Sequence, residues 1–419
     1  MPEEKIMEEI ERFVNKNIRY DADKILGFPG TNPEPLSTRV YSEYLRHHSN
    51  NIGMHTNKEG GRESEAGFPG TQEAECQVIA MAADLMNGVA DQIDGYISSG
   101  GTEANIVGCW IGRNCYQGTG TGTAIIGSFL THYSITKAAD ILGIGTKPRE
   151  DGGLHTLGTD TYGRVLIDQL EKKVLLLAGR GVSNIIVVGN AGTTMLGSID
   201  DIPKMDRVIG KLKETFPKVN IHFHVDAAMG GFIAPFIPSA PSVGFSNRHV
   251  DSITIDVHKM GLAPYGSGII LARRGLFERI KSIAPYVPGN DCTLCGSRAG
   301  AMALSCWAAM KKIGKNGYAD NAKKLMSLVR YAQNGFKILG IETFSSDINI
   351  IAVKGYFPDS LGEKFITHAH RNFPANLSDP SCGQRTGVWN VVVMNHTTKD
   401  LMDELFSDLR FLRKEGIAN

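Results

Sequence analysis

The chain has 419 residues with 44 basic and 44 acidic side chains, so its formal net charge is zero. That balance excludes a general nucleic-acid binder, which needs a basic surplus against phosphates, and no run approaches the ~18 apolar residues of a membrane span. Its length implies two or three units at ~100–200 residues each, and its 48 glycines exceed the usual ~7% share.

In chain order, residues 1–13 are charged and spell a polar helix, not a secretory signal. The seven cysteines are odd in number and scattered, which points to a reducing cytoplasm without a disulfide framework. Strand-like runs are predicted at 124–130, 184–188, 221–225, 252–255 and 268–272, with helical patterns between several of them. One such helix, Ile202–Thr215, follows an Asp200-Asp201 cap. This alternation predicts an α/β fold, a mostly parallel sheet with helices on both faces. From 301 to 338 the pattern is helical with one interruption at 314–317. Beyond it come a strand at 348–353, a helix near 360–370, a strand at 388–394 and a last helix at Lys399–Lys414, together a smaller α+β domain. The predicted division is an N-terminal helical segment (1–55), a large domain (56–305) and a small C-terminal domain (306–419). The Gly/Thr stretch 118–122 reads as a turn; it precedes a strand instead of following one, so it is no dinucleotide fingerprint.

Three segments carry chemistry. Ser98-Ser99-Gly100-Gly101-Thr102-Glu103-Ala104-Asn105 runs into an apolar helix, and small residues before a helix start expose N–H groups that suit a phosphate. Taken alone, it is also an ordinary capped helix start. In His222-Phe223-His224-Val225-Asp226-Ala227-Ala228, a strand ends on Asp226, at the carboxyl edge where doubly wound sheets bind ligands. His222 and His224 share a strand face, but no third ligand follows at metal spacing, so no metal is expected. The third segment, Asp256-Val257-His258-Lys259-Met260-Gly261, puts a Lys directly after a β-branched strand. A desolvated amine of lowered pKa there suits Schiff-base chemistry; a surface Lys at a strand end is the plainer alternative. The Cys292/Cys295 pair has no second pair and no nearby His and reads as two loop thiols. A phosphate cradle, an Asp at one strand end and a Lys at another are the parts that pyridoxal 5'-phosphate needs. The glycine surplus near them reads as backbone kept bare for that flat group.

On six ordered motifs the chain resembles the group II pyridoxal-phosphate-dependent amino-acid decarboxylases. They are SGGTEAN (99–105), THYSITKAA (131–139), AGTT (191–194), HVDAAMGGF (224–232), SITIDVHKMG (252–261) and GSRAG (296–300). The resemblance spans about residues 25–415 and implies the aspartate-aminotransferase-like (type I) fold. It implies that Lys259 binds the cofactor covalently, Asp226 pairs with the pyridinium nitrogen, and His132 stacks on the ring opposite Ala228. Gly101, Thr102 and His258 would surround the phosphate with Asp256 nearby, and Thr194 would lie near the ring or substrate carboxylate. Ser297 would reach the phosphate of a neighbouring subunit, since such enzymes place the site at a homodimer interface.

Three departures bear on function. The stretch 288–294 is short and lacks tyrosine, leaving Tyr286 just before it as proton donor. Asn390 stands where many relatives carry Arg. The compact length and Gly-Ser-Arg motif look most like short bacterial histidine decarboxylases and archaeal tyrosine decarboxylases, whereas 296–317 is similar to sphingosine-phosphate lyases. The implied reaction is decarboxylation of an L-amino acid to its amine in the cytoplasm. The alternatives are a carbon–carbon aldehyde lyase, with Arg46, His47 and His48 as a cationic site, and a non-catalytic cofactor-binding protein. Phe28 in Gly27-Phe28-Pro29-Gly30 suggests an apolar wall at the entrance, or a turn anchor.

Overall fold

The computed structural model describes residues 1–56, 67–115, 121–283, 290–355 and 357–414. Its centre is an eight-stranded sheet of β1 (Ile93–Ser98), β2 (Thr121–Ser128), β3 (Pro148–Arg149), β4 (Gly152–Leu157), β5 (Val182–Asn190), β6 (Asn220–Asp226), β7 (Val250–Asp256) and β8 (Gly268–Arg273). The strands lie in the order β1-β8-β7-β6-β5-β2-β4-β3. The run from β7 through β6, β5 and β2 to β4 is parallel, while β8 is antiparallel to both β1 and β7. The five strands predicted from the sequence in this region, β2 and β5 to β8, are therefore neighbours.

Every residue of β5 is buried, as expected of a parallel strand covered on both faces. Its side chains alternate: Ile185 and Val187 join a core with α3 (Pro69–Leu85), α6 (Ile167–Gly179) and α7 (Ile202–Thr215). Ile186 and Val188 join a second core with α4 (Gly101–Arg113) and α5 (Tyr133–Ile141). Thus α7 forms where the sequence predicts it, with Asp201 as its cap accepting from the Lys204 N–H at 3.0 Å.

Outside this sheet, α1 (Glu3–Val14) buries no residue, and α2 (Pro35–Tyr44) packs on the 39-residue α8 (Gly300–Ile338) through Ser37 and Ser305. Within α8, Gly314 takes φ 62° and ψ 174°, a non-helical residue at the predicted interruption. A two-residue pair, β9 (Ser282–Ile283) and β10 (Asn290–Asp291), precedes it. The C-terminal part holds β11 (Ile350–Lys354), α9 (Asp359–Phe365), β12 (Ala369–Pro374), β13 (Arg385–Val392) and α10 (Lys399–Lys414), with the three strands antiparallel in the order β11-β13-β12. The helix predicted near 360–370 stops at Phe365. Ile366 turns the backbone left-handed (φ 44°) and the chain returns as the edge strand β12. The N-terminal segment ties onto this sheet, with the Leu26 N–H donating to Phe365 O and the Val392 N–H to Leu26 O.

Strands β5, β6 and β7 end side by side on Asn190, Asp226 and Asp256. Across β8, Gly268 pairs with both Asp256 and Ser98, which leads into α4. One sheet edge thus brings together the three chemistry-bearing segments, which lie far apart in sequence.

Candidate active site

Lys259 lies in the turn after β7, and its Nζ is 2.9 Å from Asp256 Oδ2. Burial lowers this amine's pKa, but the Asp256 carboxylate, together with Asp226 and Tyr265, raises it above the ordinary lysine value. The expected lowering is thereby corrected: desolvation is present, and the neighbouring acidic groups override it. His258 Nε2 approaches the same oxygen at 3.6 Å, and burial lowers its pKa. Among the described residues, Asp256 Oδ1 is buried without a hydrogen-bond partner, and His258 Nδ1 makes no hydrogen bond of ordinary geometry. The turn itself is held from outside, by Tyr318 OH donating to Gly261 O at 2.8 Å and the Glu34 N–H donating to Leu262 O.

The start of α4 presses onto this group. A Cβ on Gly101 would come within 2.8 Å of Asp256 Oδ2 and 3.1 Å of Ala228 Cβ, and one on Gly100 within 3.1 Å of the His258 ring. Half-buried Thr102 follows these two glycines in the first turn of α4, where the leading backbone N–H groups have no partner within the helix. Further along the same helix, Cβ atoms on Gly108 and Gly112 would meet the rings of His224 and His222. Much of the glycine surplus in α4 therefore lets the helix lie close on β6, which narrows the sequence reading of bare backbone for a cofactor to Gly100 and Gly101.

Asp226, at the end of β6, accepts from Asn105 Nδ2 at 2.7 Å and from the Ala228 N–H at 3.1 Å. Asn105 also donates to Ser134 Oγ (2.8 Å), and Ser134 Oγ lies 2.8 Å from His132 Nδ1. His132 caps α5, its Nδ1 accepting from the Ser134 N–H, and desolvation lowers its pKa against the opposing pull of Asp226. Asp226, Lys259 and Asp256 all act electrostatically on His132.

Other predicted residues lie elsewhere. Thr194 is exposed in the turn after Ala191, whose N–H donates to Asp226 O. Ser297 is exposed and accepts from Asn50 Nδ2 at 3.3 Å; it lines a cleft with Ser98, Ser99 and Tyr265. Tyr286 lies outside the described residues. Asn390 is buried in β13 and donates to Met195 O. Phe28 sets its ring edge-on to His368 at 5.4 Å. Cys292 is buried and Cys295 exposed, both free thiols. His222 and His224 share a face as predicted, and both reach Ser252 Oγ at 2.8 Å.

Sequence reasoning missed Asn105, Ser134 and Ser252. Gly101, Asn105, Gly108 and Gly112 fall on one helical face at i, i+4, i+7 and i+11. A lone polar residue among glycines on a sheet-facing stripe was the available signal.

The residues present fit pyridoxal phosphate. A half-buried amine, an Asp backed by donors, a helix start with bare backbone and, among the described residues, a buried carboxylate oxygen without a partner are grouped at one sheet edge. The pyridoxal-dependent decarboxylase conserved domain matches residues 64–353. The tryptophan decarboxylase of Clostridium sporogenes is 33% identical, over 99% of this chain and 96% of its own length. The probable L-tyrosine/L-aspartate decarboxylase of Methanothermobacter thermautotrophicus is 32% identical, over 94% and 98%. In fold, L-methionine decarboxylase from Streptomyces sp. 590 superposes with a TM-score of 0.81 at 19% identity, covering 98% of this chain and 95% of that one. The sphingosine-1-phosphate lyase of Burkholderia pseudomallei gives 0.78 at 19%, covering 100% and 92%.

Proposed function

The chain belongs to the pyridoxal-dependent decarboxylase family, and from that premise we propose that the Lys259–Asp226 site removes carbon dioxide from a free L-amino acid. The observation carrying this reading is Lys259 at 2.9 Å from Asp256, at the sheet edge that also ends on Asp226. Bound pyridoxal phosphate supplies the electron sink that accepts the electrons of the breaking Cα–carboxylate bond. Lys259 Nζ would hold the cofactor covalently and would serve as a base or acid at the site. Asp226 keeps a proton on the ring nitrogen, and Asn105 and the Ala228 N–H hold that carboxylate in place. His132 and Ala228 flank the ring. Gly101, Thr102, the α4 N–H groups and His258 hold the phosphate beside Asp256. Thr194 serves the substrate carboxylate, and Tyr286 returns a proton to Cα.

Ser297 completes the phosphate site of a second copy, so the working unit is a homodimer, located in the cytoplasm. Its exposure, in a cleft it shares with Ser98, Ser99 and Tyr265, supports that role. Among the described residues no helix is long and apolar enough to cross a membrane.

Two measurements test the reading. A panel of L-amino acids, including histidine, tyrosine, tryptophan and aspartate, is assayed for carbon dioxide and amine. Release of carbon dioxide with a matching amine is expected; an aldehyde without carbon dioxide would instead select the lyase alternative. Lys259→Ala is expected to abolish turnover and the visible absorption band of the holoenzyme. A variant that keeps both would overturn the assignment.

A further inference from the structure

Behind Asp226 runs a buried chain of polar groups that the decarboxylation chemistry does not itself use. Both hydrogens of Asn105 Nδ2 are committed, one to Asp226 Oδ2 and one to Ser134 Oγ. Asn105 Oδ1 can only accept, so the His224 nitrogen 3.0 Å away, Nε2, must carry its hydrogen. Thr254 Oγ1 also lies 3.4 Å from this nitrogen. His224 is fully buried and stays neutral, since desolvation pushes its pKa down to about 3. Its Nδ1 is therefore bare and accepts from the Ser252 hydroxyl at 2.8 Å. Ser252 has one hydrogen, so its oxygen accepts from His222 Nε2–H at 2.8 Å. His222 is likewise neutral, lowered to about 4 by burial.

Every donor in this row points the same way: His222 to Ser252, Ser252 to His224, His224 to Asn105, Asn105 to Asp226. A second branch leaves Asn105 through Ser134. The Ser134 N–H and hydroxyl both point at His132 Nδ1, which leaves the hydrogen on Nε2 of that ring. Bonds aligned head to tail polarise one another. Reversing any one link would set donor against donor or acceptor against acceptor, so the arrangement has a single low-energy sense.

We infer that His222, Ser252 and His224 are positioning residues: a one-way hydrogen-bond relay that fixes the Asn105 amide and, through it, both the aim of Asp226 and the tautomer of His132. No residue of the row touches the cofactor; each acts through Asn105. The inference rests on Asp226 meeting the ring nitrogen, as proposed above. Its physical content is that the relay matters for a ring with a basic nitrogen and not for one without.

The test compares apparent dissociation constants for pyridoxal phosphate and for its 1-deaza analogue, in which carbon replaces the ring nitrogen. Wild type, Ser252→Ala and Asp226→Asn are measured. Ser252→Ala is expected to weaken pyridoxal phosphate about five- to tenfold, the worth of about one hydrogen bond, and to leave the analogue within about twofold. Equal losses for both ligands, or no loss for either, would overturn the relay. Asp226→Asn separates the two readings: it should weaken pyridoxal phosphate selectively. If it weakens both ligands alike, the ring-nitrogen reading of Asp226 fails first. Histidine-ring nitrogen spectra of the wild-type protein need no variant that might fail to fold. They should show Nε2–H with bare Nδ1 at His132, His222 and His224. A protonated Nδ1 at His224 would reverse the row and refute the inference even if Ser252→Ala cannot be prepared.

Discussion

On the Asp226 wall of the site, both carboxylate oxygens have donors, at 2.7 and 3.1 Å, and Asn105, Ser134, His132 and His224 form an unbroken set of bonds behind them. On the Lys259 wall, Asp256 Oδ1 is buried and, among the described residues, has no hydrogen-bond partner, and the other Asp256 oxygen is shared between Lys259 and His258. A buried polar atom without a partner costs about 1–3 kcal/mol, so the second wall carries a cost that a polar ligand can relieve. The first is rigid machinery; the second is shaped to receive. The difference also tracks chain geometry: the Asp226 wall lies between α4 and β6, while Lys259 sits in a turn held from outside by Tyr318 and Glu34.

Removing a group from the finished wall should have the largest effect. Asp226→Ala strands the Asn105 amide and the Ala228 N–H, costing about 1–3 kcal/mol of stability. Loss of the charge opposite the ring nitrogen should cut turnover by about 10²-fold or more. Steady-state kinetics and denaturant unfolding measure both. A variant with unchanged stability would mean that Asp226 is not the acceptor holding this wall together.

Next in size is a test of how closely the wall is packed. Gly108→Ala places a methyl where the His224 ring lies within 2.4 Å, so α4 must lift from β6. The expected loss is about 1–3 kcal/mol, with weaker cofactor binding because Asn105 moves with the helix. Melting temperature and cofactor titration check it; a neutral result would show the helix free to shift without consequence.

The smallest effect falls on the receiving wall. Asp256 raises the Lys259 pKa, so the pair's contribution in the cofactor-free protein is complete below the ordinary lysine value of 10.5 and lost as pH rises through the raised value. In Asp256→Asn burial is opposed only by the weaker pull of Asp226 and Tyr265, so the lysine's pKa falls below its wild-type value and the raised-pKa contribution is smaller or gone. The stability gap between wild type and variant should therefore shrink above about pH 10.5. Unfolding curves from about pH 8 to about pH 11 would reveal it. A gap that does not change with pH would remove Asp256 as the lysine's partner.

How much of this was legible in the sequence follows the same division. Lys259 and Asp226 could be read because Asp226 ends β6 and Lys259 follows β7 by three residues, a local signal. Helices α7 and α10 could be read to the residue because cap and apolar period agree. The helix expected near 360–370 overran because nothing local marks Ile366 as left-handed; packing decides it. The Asn105 node was hidden for a different reason. Its partners Asp226 and His224 lie 121 and 119 residues away, and only the packing of α4 on β6 brings them together. The amine's raised pKa was missed likewise, since three residues of separation do not reveal that Asp256 turns back onto Lys259.

The central claim is that Lys259 is the residue that binds pyridoxal phosphate. Reducing the holoenzyme with borohydride and mapping its peptides by mass spectrometry tests it most directly. The account predicts the cofactor's mass on the peptide bearing Lys259 and on no other lysine. Cofactor fixed to a different lysine, or none fixed at all, would contradict it.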